Sequence, residues 1–191
     1  MKRYLGIILS VLLVLSLTFN VFVVIKNDSD ISKIKSNTIT EILRCISDTK
    51  ECLQNLIDNE EVSYRSKMMH VINGKFSTLY HLCHANRYIY SPACSDFEHI
   101  GATFIGFAST RYFVTTGIYE DFEITENEYA YVEELITLLD KVSENITGSN
   151  TKDDLSVLNS NLEDMHEQLY DIENSPYCFI MKQPQNNEQQ S

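Results

Sequence analysis

The stretch HLCHANRYIYSPAC, residues 81–94, places two histidines and two cysteines within 14 residues. These side chains bind metal ions, form disulfides or carry redox chemistry, and spacing decides among them. On a helix His81 and His84 share a face, and His70, three turns earlier, joins the same stripe. At 1.5 Å rise per residue His70 and His81 stand ~16 Å apart, too far for one ion. His81 and His84 hold a metal only if another helix adds a carboxylate or cysteine, and no C-x-x-C supports one. The plain alternative is half-buried histidines beside a packed cysteine, and we expect no metal or other cofactor.

A disulfide fits better. Cys83 near a helix end and Cys94 just past Pro92 can fold back on each other. The loop of about a dozen residues would be worth ~3 kcal/mol in the chain-entropy model. Cys178 is an equal alternative partner. Cys45 and Cys52 lie seven residues apart, ~10 Å along a helix axis, beyond disulfide reach. They either fill a seam as small core residues or, with Ile42 and Leu56, form the seam of a homodimer.

Other chemistry is thinly signalled. EDMH, ending at His166, fits the E-x-x-H element of di-iron bundles, and DFEH, from Asp96 to His99, is a looser copy. Glu163 and His99 fall off the apolar faces of their helices, which argues against such a site. HEQLY at 166–170 lacks the second histidine of H-E-x-x-H, and no G-x-S-x-G, Walker loop or Rossmann fingerprint occurs. The expectation is a non-enzyme. Arg111, at helical spacing from Phe104 and Phe107, falls on a buried side. Either it snorkels to the bundle end, or it pairs with an internal acid or lines a pocket for an anionic ligand. Arg111, Tyr88 and Phe107 are the candidate ligand-binding residues.

The elements that must position these residues begin with YLGIILSVLLVLSLTFNVFVVI, residues 4–25, 22 positions without a charge. A bilayer core needs roughly 20. A signal peptide has an apolar region of about 7–15 residues and a small-x-small cleavage site, whereas large residues fill the exit here. No cysteine follows closely enough for lipid attachment. We expect a single-pass anchor over residues 1–26. Lys2 and Arg3 against Lys26 put the N-terminus in the cytoplasm and the rest outside.

Beyond the anchor 12 basic residues face 27 acidic ones. Such a surface repels phosphate backbones, which disfavours nucleic acid and suits a basic partner. Residues 27–191 suffice for one domain with a core. The tail KQPQNNEQQS is polar and of low complexity, and we expect 176–191 to be disordered.

Helical signals dominate. Capping boxes pair Ser95 with Glu98, Thr125 with Glu128, and in a close variant Thr151 with Asp154. Apolar stripes follow each: Phe97, Ile100, Phe104, Phe107 and Ile118; then Tyr129, Val132, Leu135, Ile136, Leu139, Val142 and Ile146; then Leu155, Leu158, Leu162, Met165, Leu169 and Ile172. Gly148 stops the second stripe as a left-handed residue. An earlier stripe runs Ile31, Ile34, Ile42, Cys45, Cys52 and Leu56, thins between Asn59 and Arg65, and resumes from Met68, with a kink at Gly74 and an end before Pro92. GATFIGFAS, 101–109, reads as helix with glycines for close packing. Only RYFVTTGIY, 111–119, competes as strand. The predicted fold is all-α: a transmembrane helix, a stalk-like first helix over 27–60 and an up-and-down bundle of about four helices, with 61–175 as its body. NDS at Asn27 and NIT at Asn145 are glycosylation sequons, relevant only in a eukaryotic secretory pathway.

DFEHIG at 96–101 and ITENEYAYVEELITLLDKVSENI at 124–146, behind an N-terminal anchor, resemble the N-terminal helical region of YpeB-type spore germination proteins. Phe97, Ile100 and Gly101 match an F-x-x-I-G segment of that family. Thr125, Glu128, Tyr129, Val132 and Leu135 match its T-x-x-E-Y-x-x-L-x-x-L segment. The family's C-terminal PepSY-type modules are not in this sequence. The resemblance implies a non-catalytic partner or scaffold protein outside the membrane. The functional expectation is therefore a cell-membrane protein that binds or positions an extracytoplasmic protein partner. The alternative is a ligand-sensing bundle with a pocket near Arg111.

Overall fold

The structure, a computed structural model, describes residues 2–86, 88–105, 108–109, 114–115, 124–148 and 151–171. For residues 2–12, 14, 108, 109, 114, 115 and 151 it describes the backbone alone. Helix α1 runs without a break from Lys2 to Asp58, 57 residues. Compactness divides the chain after Asn37, into residues 1–37 and 38–191.

In the first unit the described apolar side chains up to Ile25 are exposed. Val21, Phe22, Val23, Val24 and Ile25 are all exposed, as are Leu13, Leu15, Leu17 and Phe19. Successive residues turn about 100°, so these positions present apolar surface on every side of the helix rather than along one stripe. Among the residues whose side chains are described, no helix is long and apolar enough to cross a membrane. Much of the expected anchor, residues 4–12 and Val14, lies outside them.

The second unit is an all-α helical bundle. After α1 come α2 (Val62–His84), α3 (Ser91–Thr103), α4 (Glu126–Ser143) and α5 (Thr151–Tyr170). Between α3 and α4 lie two two-residue strands, β1 (Ala108–Ser109) and β2 (Val114–Thr115), antiparallel with Ala108 opposite Thr115 and Ser109 opposite Val114. The core starts at Ile39 and takes in Ile42, Ile46, Leu53 and Leu56 of α1. The second half of the expected stalk is thus bundle. Ile42, Cys45 and Leu56 are buried and Cys52 is half-buried within this same chain. That corrects the homodimer-seam expectation, because the chain's own core covers the stripe. The Thr49 hydroxyl within it is satisfied by donating to the Cys45 carbonyl at 2.6 Å.

Asn59 breaks the stripe between α1 and α2. Its side-chain oxygen accepts the Glu61 amide at 2.9 Å, and its carbonyl accepts Arg65 Nε at 2.7 Å, the local bonding that draws asparagine into turns. The Lys75 ammonium of α2 meets Asp48 of α1 at 2.7 Å, and Lys50 of α1 pairs with Asp140 of α4. Phe97, Phe76, Phe104 and Tyr131 form a series of ring contacts through the centre, in that order, with centroids 6.2–6.4 Å apart, joining α2, α3 and α4. The buried Tyr131 hydroxyl lies 3.0 Å from that of Thr103, and burial pushes its pKa well above the usual phenol value.

Several sequence expectations change here. Helix α2 ends at His84, and Pro92 sits in the first turn of α3, starting that helix rather than ending α2. Proline suits that position because its missing amide would have no helical partner anyway. Ser95 lies inside α3, so it caps nothing. Helix α2 runs on through Gly74 without a break. Helix α3 closes at Thr103, where tightened bonds run from the Phe104 amide to Gly101 O and from the Ile105 amide to Ala102 O. The Thr103 hydroxyl turns back onto Ile100 O at 2.7 Å, a bond that competes with helix continuation. Helix α3 thus ends before Phe107 and Arg111, which both lie outside the described residues. So do Ile118, Ile172, Cys178 and the tail.

Other expectations hold. Thr125 and Glu128 form the full capping box of α4, with the buried Glu128 carboxylate accepting the Thr125 amide at 2.8 Å. Gly101 faces α2 so closely that a Cβ there would stand 2.9 Å from Phe76 Cβ, while a Cβ on Gly74 would meet nothing. Gly148 is left-handed as expected, φ +72°, but it does not stop α4: the helix ends five residues earlier at Ser143, leaving Ile146 outside it, and Asn145, φ 62°, takes the left-handed form nearer that end. The buried Asp154 carboxylate, expected to pair with Thr151, instead reaches back to accept the Thr147 amide at 3.0 Å, anchoring the turn into α5.

Candidate functional site

Polar groups converge where α3, α5 and the α2–α3 corner meet. Asp96, within α3, is only 1% exposed. His166 of α5 brings Nδ1 to 2.8 Å from Asp96 Oδ2. The ring of His166 packs against Tyr90 at 6.0 Å and Tyr170 at 4.8 Å between centroids. Desolvation dominates the carboxyl of Asp96 and raises its pKa, against the opposing pull of His166, Tyr170 and His99. Beside it, His99 Nδ1 is buried without a hydrogen-bond partner.

The two motifs compared with di-iron elements thus do meet, through Asp96 of one and His166 of the other. The meeting is a two-residue hydrogen bond. Glu163 lies on the exposed side of α5, and among the described residues no group of three or more His, Cys, Asp or Glu is arranged to hold a metal. The stripe of His81 and His84 is taken up by Tyr80, whose ring packs against both at 4.9 and 5.4 Å.

An open groove of about 420 Å³ adjoins the pair, walled by Tyr88, Ile89 and Tyr90 on one side and Ser156, Asn159, Ser160 and Glu163 of α5 on the other. Asn159 builds it. Its side-chain oxygen accepts the Tyr90 amide at 2.7 Å, and its Nδ2 donates to the Tyr88 carbonyl at 2.8 Å. One amide thereby serves both a donor and an acceptor of a corner outside regular structure. Asn161 makes a similar clamp, donating to Val142 O and Glu144 O at 3.1 and 3.0 Å and tying down the end of α4. The pKa of the Tyr90 phenol is raised, first by lost hydration and then by Glu163, Glu167 and Asp96, so the potential around the groove is negative.

Of the expected ligand residues, Tyr88 lines this groove; Arg111 and Phe107 fall outside the described residues. Cys83 and Cys94 are both buried, and each thiol is the main electrostatic neighbour of the other. Sequence reasoning missed Asn159, whose one visible signal is the NSN spacing at 159–161 on a helix that otherwise reads as amphipathic. It also set Asp96 and His166 aside, because spacing along one chain does not show which two helices face each other.

No family model, curated protein or solved structure matches this chain. Fold and site define an α-helical bundle with an acidic, tyrosine-walled groove.

Proposed function

We propose that the chain is a membrane-anchored protein whose bundle, lying outside the cytoplasmic membrane in an up-and-down arrangement, binds and positions a protein partner without a chemical step of its own. The groove between Tyr88, Tyr90 and α5 carries this reading. It is open, has two aromatic side chains, which dominate protein interfaces, and is bordered by Glu163 with Glu167 and Asp164 exposed nearby. That chemistry suits an extended segment bearing lysine or arginine. Anchoring is supported by the all-round apolar exposure of residues 13 and 15–25 on a helix continuous with the bundle's first core stripe. The charge asymmetry of Lys2 and Arg3 supports the orientation. The resemblance to YpeB-type proteins points the same way. The residues that carry it have packing duties in this chain: Phe97 in the aromatic stack, Gly101 at the close helix contact, Thr125 and Glu128 at a cap.

The test is a photo-crosslinking residue at Ser156 or Ser160 of the full-length protein in its native membranes. The reading expects one protein adduct of defined mass, lost when Glu163→Lys reverses the charge at the groove. Absence of any adduct, or adducts to the same chain alone, would overturn it. A second reading, a ligand-sensing bundle, is favoured by Tyr88 lining a groove whose volume falls in the small-molecule range of about 300–1,000 Å³. It predicts a bound small molecule in native mass spectrometry of the purified chain.

A further inference from the structure

Cys83 is the second-last residue of α2, and Cys94 lies in the opening turn of α3. Both are packed in the core, 1% and 2% exposed. Cys94 Sγ also reaches the Tyr90 carbonyl at 3.5 Å, and each of the two thiols is the other's leading electrostatic partner. Cys45 also lies near Cys83, but its thiol donates to Lys75 O at 3.6 Å, and Cys52 is about two turns further along α1.

We propose that Cys83 and Cys94 are a disulfide-forming pair that staples the end of α2 to the start of α3. The oxidant is a small-molecule disulfide of the glutathione class. The Cys94 thiolate attacks one sulfur of that disulfide and expels one thiolate, giving a mixed disulfide. Cys83, its proton passing to the departing thiolate, then attacks the Cys94 sulfur and expels the second thiol. Two protein thiols are oxidised, one disulfide is reduced to two thiols, and both protons end on the leaving sulfurs. The direction of attack follows from the contact itself. Cys83 is the leading influence lowering the pKa of Cys94, while Cys94, together with burial, raises that of Cys83. Cys94 is therefore the readier thiolate.

The staple closes the corner that carries Tyr88 and Tyr90 and lies two residues before Asp96. It would fix the groove wall against α5 and limit the positions the unfolded chain can explore. The inference goes beyond the docking reading and stands without it, since it concerns two groups of the folded chain alone.

The test uses the full-length protein in detergent with Cys178→Ala, reduced, unfolded and refolded in a glutathione redox buffer. Samples are acid-quenched and alkylated, and their peptides are mapped. The expected product is two hydrogens lighter, joins the Cys83 and Cys94 peptides, and leaves Cys45 and Cys52 alkylated. It melts above the reduced form, and reductant abolishes the difference. A Cys83→Ala, Cys94→Ala double variant refolds to the same helicity and shows no reductant-dependent shift. Four alkylated cysteines in protein of native helicity, or linkage of either residue to Cys45 or Cys52, would overturn the proposal. The same mapping of protein alkylated in its membranes without unfolding gives a second readout: a free Cys83 and Cys94 pair that stays free after glutathione disulfide is added counts against it.

Discussion

His166 Nδ1 and Asp96 Oδ2 stand 2.8 Å apart and join α5 to α3 through a carboxylate that water barely reaches. The pair satisfies Asp96 geometrically but does not fully offset its lost hydration, because desolvation still governs the carboxyl.

Its pKa, raised in the folded state, means that the folded chain holds the Asp96 proton more tightly than the unfolded chain. The contribution of this group to stability is then present in acid and lost as pH rises through the carboxylate range. Asp96→Asn keeps an acceptor for His166 and removes the titration. Wild type should lose stability relative to this variant between acidic and neutral pH, read from urea midpoints across that span. Asp48, whose pKa Lys75 holds below the usual carboxylate range, runs the other way: its contribution is present at neutral pH and is lost on acidification. A wild-type to Asp96→Asn difference that stays flat with pH would contradict the assignment.

Gly101 and Gly74 make a matched pair. Alanine at Gly101 pushes a methyl to 2.9 Å from Phe76 Cβ, an atom fixed by its own helix, and overpacking of that kind costs about 1–3 kcal/mol. Alanine at Gly74 meets nothing and gains the helix-propensity difference of about 1 kcal/mol. Thermal melts should therefore move down for Gly101→Ala and up for Gly74→Ala. A rise at Gly101 would show that α2 and α3 are not in close contact.

Asn159→Ala removes two hydrogen bonds to the Tyr88 and Tyr90 backbone. With a net worth of about 1 kcal/mol each, the expected loss is about 2 kcal/mol. Hydrogen exchange should rise at the Tyr90 amide before it rises at Phe97. Asn161→Ala, whose clamp is closer to solvent, should cost less. Equal losses would mean that the corner is not held by Asn159.

The sequence made the helices readable wherever one apolar face is repeated. Thr125, Glu128 and the stripe from Val132 to Val142 gave α4 almost intact, because cap and packing agree there. They disagreed at Pro92: read as a stop, it is the first turn of α3, since proline is compatible with both roles and only the burial of Ala93 and Cys94 decides. The segment after Thr103 misled for a different reason. Phe104 and Phe107 fit a helical period over a span too short to fix where α3 ends, which is at Thr103. Of the candidate site, Tyr88 was singled out from the sequence and lines the groove. Asp96 and His166 are 70 residues apart, and single-sequence spacing carries no signal across that distance.

Anchoring by residues 4–25 is the central claim, and extraction of native membranes with alkaline carbonate tests it most directly. The account predicts that the full-length protein stays in the membrane pellet and enters the supernatant when residues 4–25 are deleted. Release of the intact protein by carbonate alone would contradict it.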